Sequence, residues 1–260
     1  MKKLLLFTLF LSFTSLTYSD TREPFLEGIK GVVKLDFSDG NMYEGQVEEC
    51  SIGGKQITCF KGMGVYTFKT GYRYEGEFKN NKPNGQGLFT SPDGQRYQGG
   101  FKDGKLNGQG VMIYPDGRLY EGEYKDNNRD GYGVMTYQDG DMFEEDSRYE
   151  GEWKNDKQDG QGLFTSPDGM SYQGGFKDGK LNGKGIMNYS DGRRYEGEYK
   201  DNKRDGYGIM IYQDGGLYQE GSRYEGEWKN DKRDGQGVMT YLDDGRRLEG
   251  EFKENMFIGS

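Results

Sequence analysis

Tyr149-Glu150-Gly151-Glu152-Trp153-Lys154 decides how this chain is read, because the same six-residue pattern returns along almost its whole length. Copies start at Tyr43, Tyr74, Tyr97, Tyr120, Tyr149, Tyr172, Tyr195 and Tyr224, with a truncated ninth at Leu248, and the commonest step is 23 residues. Periods of this size mark arrays in which each unit is stable only when stacked on its neighbours. A longer period overlies the first. Residues 74–148 align with 149–223 without a gap, and 56 of the 75 positions are identical. The third unit of each block is six residues longer than the others, adding Phe143 to Arg148 in one copy and Tyr218 to Arg223 in the other, which predicts matched loops.

The unit from Tyr97 to Leu119 shows how one copy folds. Tyr97, Gly99 and Phe101 alternate with Gln98, Gly100 and Lys102, the period of a half-buried strand. A polar stretch, Asp103 to Asn107, reads as the connection, Gly108 to Tyr114 as the second strand, and Asp116-Gly117 as the closing turn. Each unit is thus expected to be a β-hairpin, with Tyr97, Gly99 and Phe101 on one face together with Gly108, Gly110, Met112 and Tyr114. Glycine in a strand leaves a gap in which a cross-strand ring can lie flat. The rings at the fifth position are Phe78, Phe101, Tyr124, Trp153, Phe176, Tyr199, Trp228 and Phe252, and Val47 replaces them in the first unit.

The opposite face carries Glu75 and Glu77 and their equivalents beside Lys79, Lys125 and Lys154, and reads as solvated. One apolar column crosses it, Leu88, Val111, Val134, Leu163, Ile186, Ile209 and Val238, and the pattern alone leaves open whether it is covered. No stretch after the first nineteen residues has a helical period long enough to cover the aromatic face. The expected fold is therefore all-β, an elongated single-layer array of stacked hairpins. Eight hairpins supply about sixteen strands, roughly 75–80 Å of sheet at ~4.8 Å per strand.

Met1-Lys2-Lys3, an apolar run from Leu4 through Leu16, and Thr17-Tyr18-Ser19 read as a secretory signal cleaved after Ser19, since a membrane span wants ~20 apolar residues. An uncleaved anchor is the alternative reading. Cleavage would take the net charge from −9 to −11 by removing Lys2 and Lys3. Such an acidic chain lacks the basic stripe that nucleic-acid binding needs and is repelled by anionic lipid. Cys50 and Cys59 flank Gly53-Gly54, and a four-residue loop from Gly53 to Gln56 would set them directly opposite each other, so a disulfide is expected. With no histidine and two cysteines, no metal site or cofactor is expected.

These residues resemble the MORN repeat, the membrane occupation and recognition nexus motif. Tyr149 to Lys154, Gly160-Gln161-Gly162-Leu163-Phe164 and Asp168-Gly169 follow its pattern position by position, and the match spans about Tyr43 to Lys253. The resemblance implies a scaffold of stacked hairpins, often self-associating, with membrane binding proposed for some members. The units at Tyr97 and Tyr172 depart from it, carrying Gln-Gly-Gly in place of Glu-Gly-Glu. The expected organisation is a signal at 1–19 and a degenerate half-repeat or cap at 20–42. Repeats follow at 43–73, 74–96, 97–119, 120–148, 149–171, 172–194, 195–223 and 224–247, and a second half-repeat or cap at 248–260 ends the chain.

Catalysis finds little to work with. Glu75 and Glu77 stand about 7 Å apart on one strand face, near a glycosidase spacing, but the pair recurs without a differentiated pocket to separate the two carboxyls. One Asp per Asp-Gly turn, at Asp93, Asp116, Asp139, Asp168, Asp191 and Asp214, is too few for calcium. No enzyme activity and no small-molecule substrate are expected. The leading expectation is an exported scaffold, periplasmic, cell-surface or extracellular, that binds a protein partner or itself through the eight fifth-position rings. The lysine row Lys79, Lys102, Lys125, Lys154, Lys177, Lys200 and Lys229 keeps membrane lipid as an alternative, and the ordered rings keep a cell-envelope glycan.

Overall fold

The structure, a computed structural model, describes Leu26 and residues 29–138, 146–213, 221–242 and 245–259. The expected signal at 1–19 lies outside those residues, as do Asp139, Asp214 and most of the two long loops. No helix is present among the described residues. Their nineteen strands form one antiparallel meander in which each strand pairs with the next. The path opens with β1 (Val32–Asp36), β2 (Met42–Ile52) and β3 (Lys55–Thr67), and the first block holds β4 (Arg73–Lys79), β5 (Lys82–Thr90), β6 (Arg96–Lys102), β7 (Lys105–Ile113), β8 (Leu119–Lys125) and β9 (Asn128–Thr136). The second block begins with β10 (Arg148–Lys154), and the sheet closes on β18 (Arg247–Lys253) and β19 (Met256–Gly259). The count exceeds the expected sixteen because β1, β18 and β19 add to the eight hairpins.

A single layer still builds a core, because each hairpin folds back over its own glycines. Tyr74 and Phe78 are four residues apart, which an extended strand would separate by ~13 Å. Their ring centroids are 5.0 Å apart and perpendicular. The register shift between Gly76 and Phe78 supplies the bend, and the same shift recurs in every later unit through the one starting at Tyr224. Beneath the fold, Tyr97 lies on the paired glycines Gly99 and Gly110, where a Cβ on Gly110 would stand 2.3 Å from the phenol oxygen. That hydroxyl donates to the Gly100 carbonyl at 3.1 Å. The equivalent tyrosines, from Tyr43 to Gln46 O at 2.6 Å through Tyr224 to Glu227 O at 3.0 Å, make the same bond three residues ahead.

The hairpin tips are tighter than the sequence suggests. The connection expected over Asp103 to Asn107 is a two-residue turn, Asp103-Gly104, with φ of 50° and 83°, and β7 resumes at Lys105. Both residues accept positive φ, so two suffice to reverse a twisted antiparallel pair. Asn80-Asn81 and Asp126-Asn127 turn the same way with no glycine at all. The cysteine hairpin is corrected likewise: Gly53-Gly54 forms the whole turn, pairing Ile52 with Lys55 and Cys50 with Ile57. Cys50 and Cys59 are therefore two residues out of register rather than opposite, yet their Cα atoms are 5.9 Å apart and the disulfide joins them.

Each tip also clamps the hairpin before it. The Asn127 N–H donates to Leu106 O at 3.1 Å, and its Oδ1 accepts from the Leu106 N–H at 2.8 Å. Asn81 does this to Phe60, Asp156 to Arg129, Asn202 to Leu181, Asp231 to Arg204 and Asn255 to Arg233. Gly104 and Gly179 lack the side chain and keep only the main-chain bond, to Pro83 and Gln158. At the first of these joints nothing is lost, since proline has no N–H to satisfy.

Candidate interaction surface

The eight rings expected to face a partner are the core itself. Phe78, Phe101, Tyr124, Trp153, Phe176, Tyr199, Trp228 and Phe252 are only 2–8 % exposed. The first seven each stand edge-on to the tyrosine of their own unit and to that of the preceding one, whereas Phe252, whose unit starts at Leu248, meets only the preceding tyrosine. Tyr97 meets Phe101 at 5.2 Å and Tyr124 at 5.1 Å, and Tyr120 meets Tyr124 at 5.2 Å and Trp153 at 5.3 Å. The perpendicular ladder continues to Tyr224, which meets Phe252 at 5.1 Å. Trp153 is further fixed by its indole N–H, which donates to Gly133 O at 3.2 Å, and by the Arg129 guanidinium 4.4 Å above its ring. Trp228 repeats both contacts, with Gly208 O and Arg204. Little ring surface is left for a partner on this face.

The opposite face is the open one, and the register gives it a regular order. The apolar column is half-buried at every position. Each member is flanked across the ladder by acid or amide side chains: Leu88 between Glu75 and Gln98, Val111 between Gln98 and Glu121, Val134 between Glu121 and Glu150. Arginines two residues earlier tie most of these acids down, as in Arg148 with Glu150 at 2.5 Å, Arg194 with Glu196 at 2.7 Å, and Arg73 with Glu75. Tyr132 and Tyr207, equivalent residues of the two blocks, rise from this face at 52 % exposure. Their hydroxyls donate to Glu150 at 2.8 Å and Glu225 at 3.0 Å. Together with Arg148, the bond from Tyr132 holds the Glu150 carboxyl below the usual range.

Some of the acids read as solvated are structural. Glu77 Oε1 accepts the main-chain N–H of Gln86 at 2.8 Å, and Glu152 accepts that of Gln161 at 2.9 Å, covering the kinked strand beside Gly85 and Gly160. The Gln-Gly-Gly units have no carboxylate there, and a Cβ on Gly100 would stand 2.2 Å from Asn107 O. Period-two alternation could not reveal this role, because it places the glutamates on the outer face without saying what they touch.

Along the tips, lysines meet acids one hairpin away: Lys105 with Asp126, Lys157 with Asp178 and Lys180 with Asp201, at 3.0–3.1 Å. Lys177, from the expected lysine row, pairs with Asp159 at 3.3 Å. A cleft of about 580 Å³ opens beside these tips, lined by Lys102, Lys105, Glu123, Tyr124 and Asp130 among others, with both charge signs mixed. Among the described residues no group of three or more His, Cys, Asp or Glu side chains is placed to hold a metal ion.

The MORN repeat family matches residues 74–96, 97–117, 120–142, 149–171, 172–193, 195–217 and 224–246. No curated protein sequence matches the chain. Among solved structures it is similar to the SAS-4 TCP domain of Drosophila melanogaster in complex with a proline-rich motif of Ana2. That likeness has a TM-score of 0.36 and 12% identity and covers 76% of this chain and 96% of that one. It is also similar to the TCP10 domain of Danio rerio CPAP, with TM-score 0.27 and 15% identity over 88% of this chain and 100% of that one. Virginiamycin B lyase from Staphylococcus aureus follows, with TM-score 0.16 and 11% identity over 90% of this chain and 74% of that one. At these scores the similarities say nothing about what this chain binds.

Proposed function

The chain belongs to the MORN repeat family, and from that premise we propose that it is an exported, non-enzymatic scaffold whose partner is a protein or a second copy, held on the outer face of the sheet. One observation carries this reading. The inner rings are spent on the fold, whereas the outer face repeats an aliphatic position between acid or amide positions at strand spacing, a ruled surface that an elongated partner can follow. The cysteine bridge supports export, since disulfides persist in oxidising compartments. Lipid is the weaker reading because acids offset the lysines at the tips.

The test is a binding comparison on the purified protein against a cell-envelope protein fraction, liposomes with and without anionic lipid, and envelope glycan. Variants Glu75→Lys and Glu196→Lys on the outer face are set against Trp153→Phe and Trp228→Phe inside. Protein capture lost only in the glutamate variants, with circular dichroism unchanged in all four, supports the outer face. Loss only in the tryptophan variants returns the site to the ring row, and binding to liposomes or glycan alone overturns the protein reading. Export is checked by the N-terminus of the protein recovered from cells, which is expected at Asp20.

A further inference from the structure

The two blocks supply an internal control for the outer face. Their described residues fold alike, but one patch differs in kind. In the first block Ile113 and Leu119 pair across β7 and β8 at 42 % and 36 % exposure, beside half-buried Val111. In the second block the same two positions are Asn188 and Arg194, and Arg194 is tied to Glu196. The acid equivalent to Glu196 is Glu121, which has Leu119 where an arginine would stand and makes no ion pair among the described residues. On the other flank Arg96, paired with Ile113 across β6 and β7, is exposed and has Gln98 where other units place a glutamate. It too makes no ion pair among the described residues. The first block thus presents an apolar centre with one free cation on one side and one free anion on the other.

Resting on the scaffold reading above, we propose that this patch is a two-fold contact between two copies of the chain. A two-fold axis lying in the plane of the interface and passing between Val111 and Ile113 places Arg96 of each copy against Glu121 of the other. Ile113 and Leu119 then meet their counterparts. Such an isologous contact needs a self-complementary surface, and opposite charges on either side of an apolar centre provide one. The patch carries one unpaired charge of each sign among the described residues, whereas elsewhere on this face arginine and glutamate satisfy each other within one strand. A patch of this size is small beside the ~800 Å² per partner of a standard interface, so the dimer is expected to be salt-sensitive and to form in the micromolar range or above.

Sedimentation velocity and light scattering on the purified full chain, across concentration and salt, test the proposal without any partner. Wild type is expected to pass from monomer to dimer as concentration rises. Ile113→Asn with Leu119→Arg is expected to stay monomeric, and the fold tolerates both residues because the second block carries them. Arg96→Glu and Glu121→Arg are each expected to weaken association about tenfold, and the two together to restore it, since the pairs are merely exchanged. Asn188→Ala with Arg194→Ala is expected to change nothing. Wild type that remains monomeric, association that survives Ile113→Asn with Leu119→Arg, or a charge exchange that fails to restore it overturns the proposal. A monomeric wild type that captures a different protein through this patch also overturns the second copy as its occupant, while leaving the scaffold reading standing.

Discussion

The described residues of 74–148 and 149–223 fold the same way from sequences that differ at nineteen positions, and the places where they differ separate what holds the sheet from what it shows. Every tyrosine and bed glycine of the inner ladder is unchanged, and among the fifth-position rings only Phe78 against Trp153 differs. The outer face changes at Arg96/Ser171, Gln109/Lys184, Ile113/Asn188, Leu119/Arg194 and Thr136/Ile211. A bed glycine has no spare volume, since any Cβ collides with backbone or ring, whereas an outer side chain meets mainly solvent. The ring difference is matched by its neighbour: Phe60 lies 5.7 Å from Phe78, and Arg129 covers Trp153.

The largest expected effect strikes both blocks together. Burial pushes the Tyr97 and Tyr172 phenols up to about 12, as it does those of Tyr43 and Tyr224. An acid whose pKa is raised from 10 on folding contributes stability that is complete below pH 10 and is lost as the pH climbs towards 12. Tyrosinate absorbance is therefore expected to rise together with loss of the sheet signal over pH 10–12. A ring set that titrated first in one block would break the equivalence.

Next in size are Gly110→Ala and Gly185→Ala, the same bed position in each block. Both place a Cβ 2.3 Å from a phenol oxygen, under Tyr97 and Tyr172, and each is expected to cost ~3 kcal/mol or more. Urea unfolding followed by intrinsic fluorescence measures this, and unequal costs would show that the two cores are packed differently.

Smaller is Trp153→Phe, which makes the second block resemble the first. It removes the bond to Gly133 O and the indole face under Arg129, for an expected loss of about 1–2 kcal/mol. Trp228→Phe is expected to match it, because Arg204 and Gly208 repeat the surroundings. The smallest effect has the opposite sign. The Tyr124 and Tyr199 hydroxyls are buried with no hydrogen-bond partner, so Tyr124→Phe and Tyr199→Phe are expected to stabilise by up to about 1 kcal/mol. Destabilisation by either variant would mean that the hydroxyl has found a partner.

Much of this was legible in the chain. The Tyr-Glu-Gly-Glu hexad and its 23-residue step specify stacked hairpins, because period-two alternation and recurring Asp-Gly turns leave one local solution. The glycine beds are legible too, since repeated glycine in a strand needs a ring to fill it. Two things were not. The bend between Gly76 and Phe78 brings the fifth-position ring onto the tyrosine, and alternation cannot encode it: period two says which side a residue takes, not whether that side closes on itself. The tip clamp was hidden for a related reason, because Asn127 and Leu106 are joined across two hairpins by a turn whose length the sequence left open. The sequence by itself determined the repeat, the strands and the two faces, all set by local sterics and spacing. Only the tertiary structure decided which face is used up in the core and which stays open, because that depends on the register shift within each hairpin and on ring contacts between successive units.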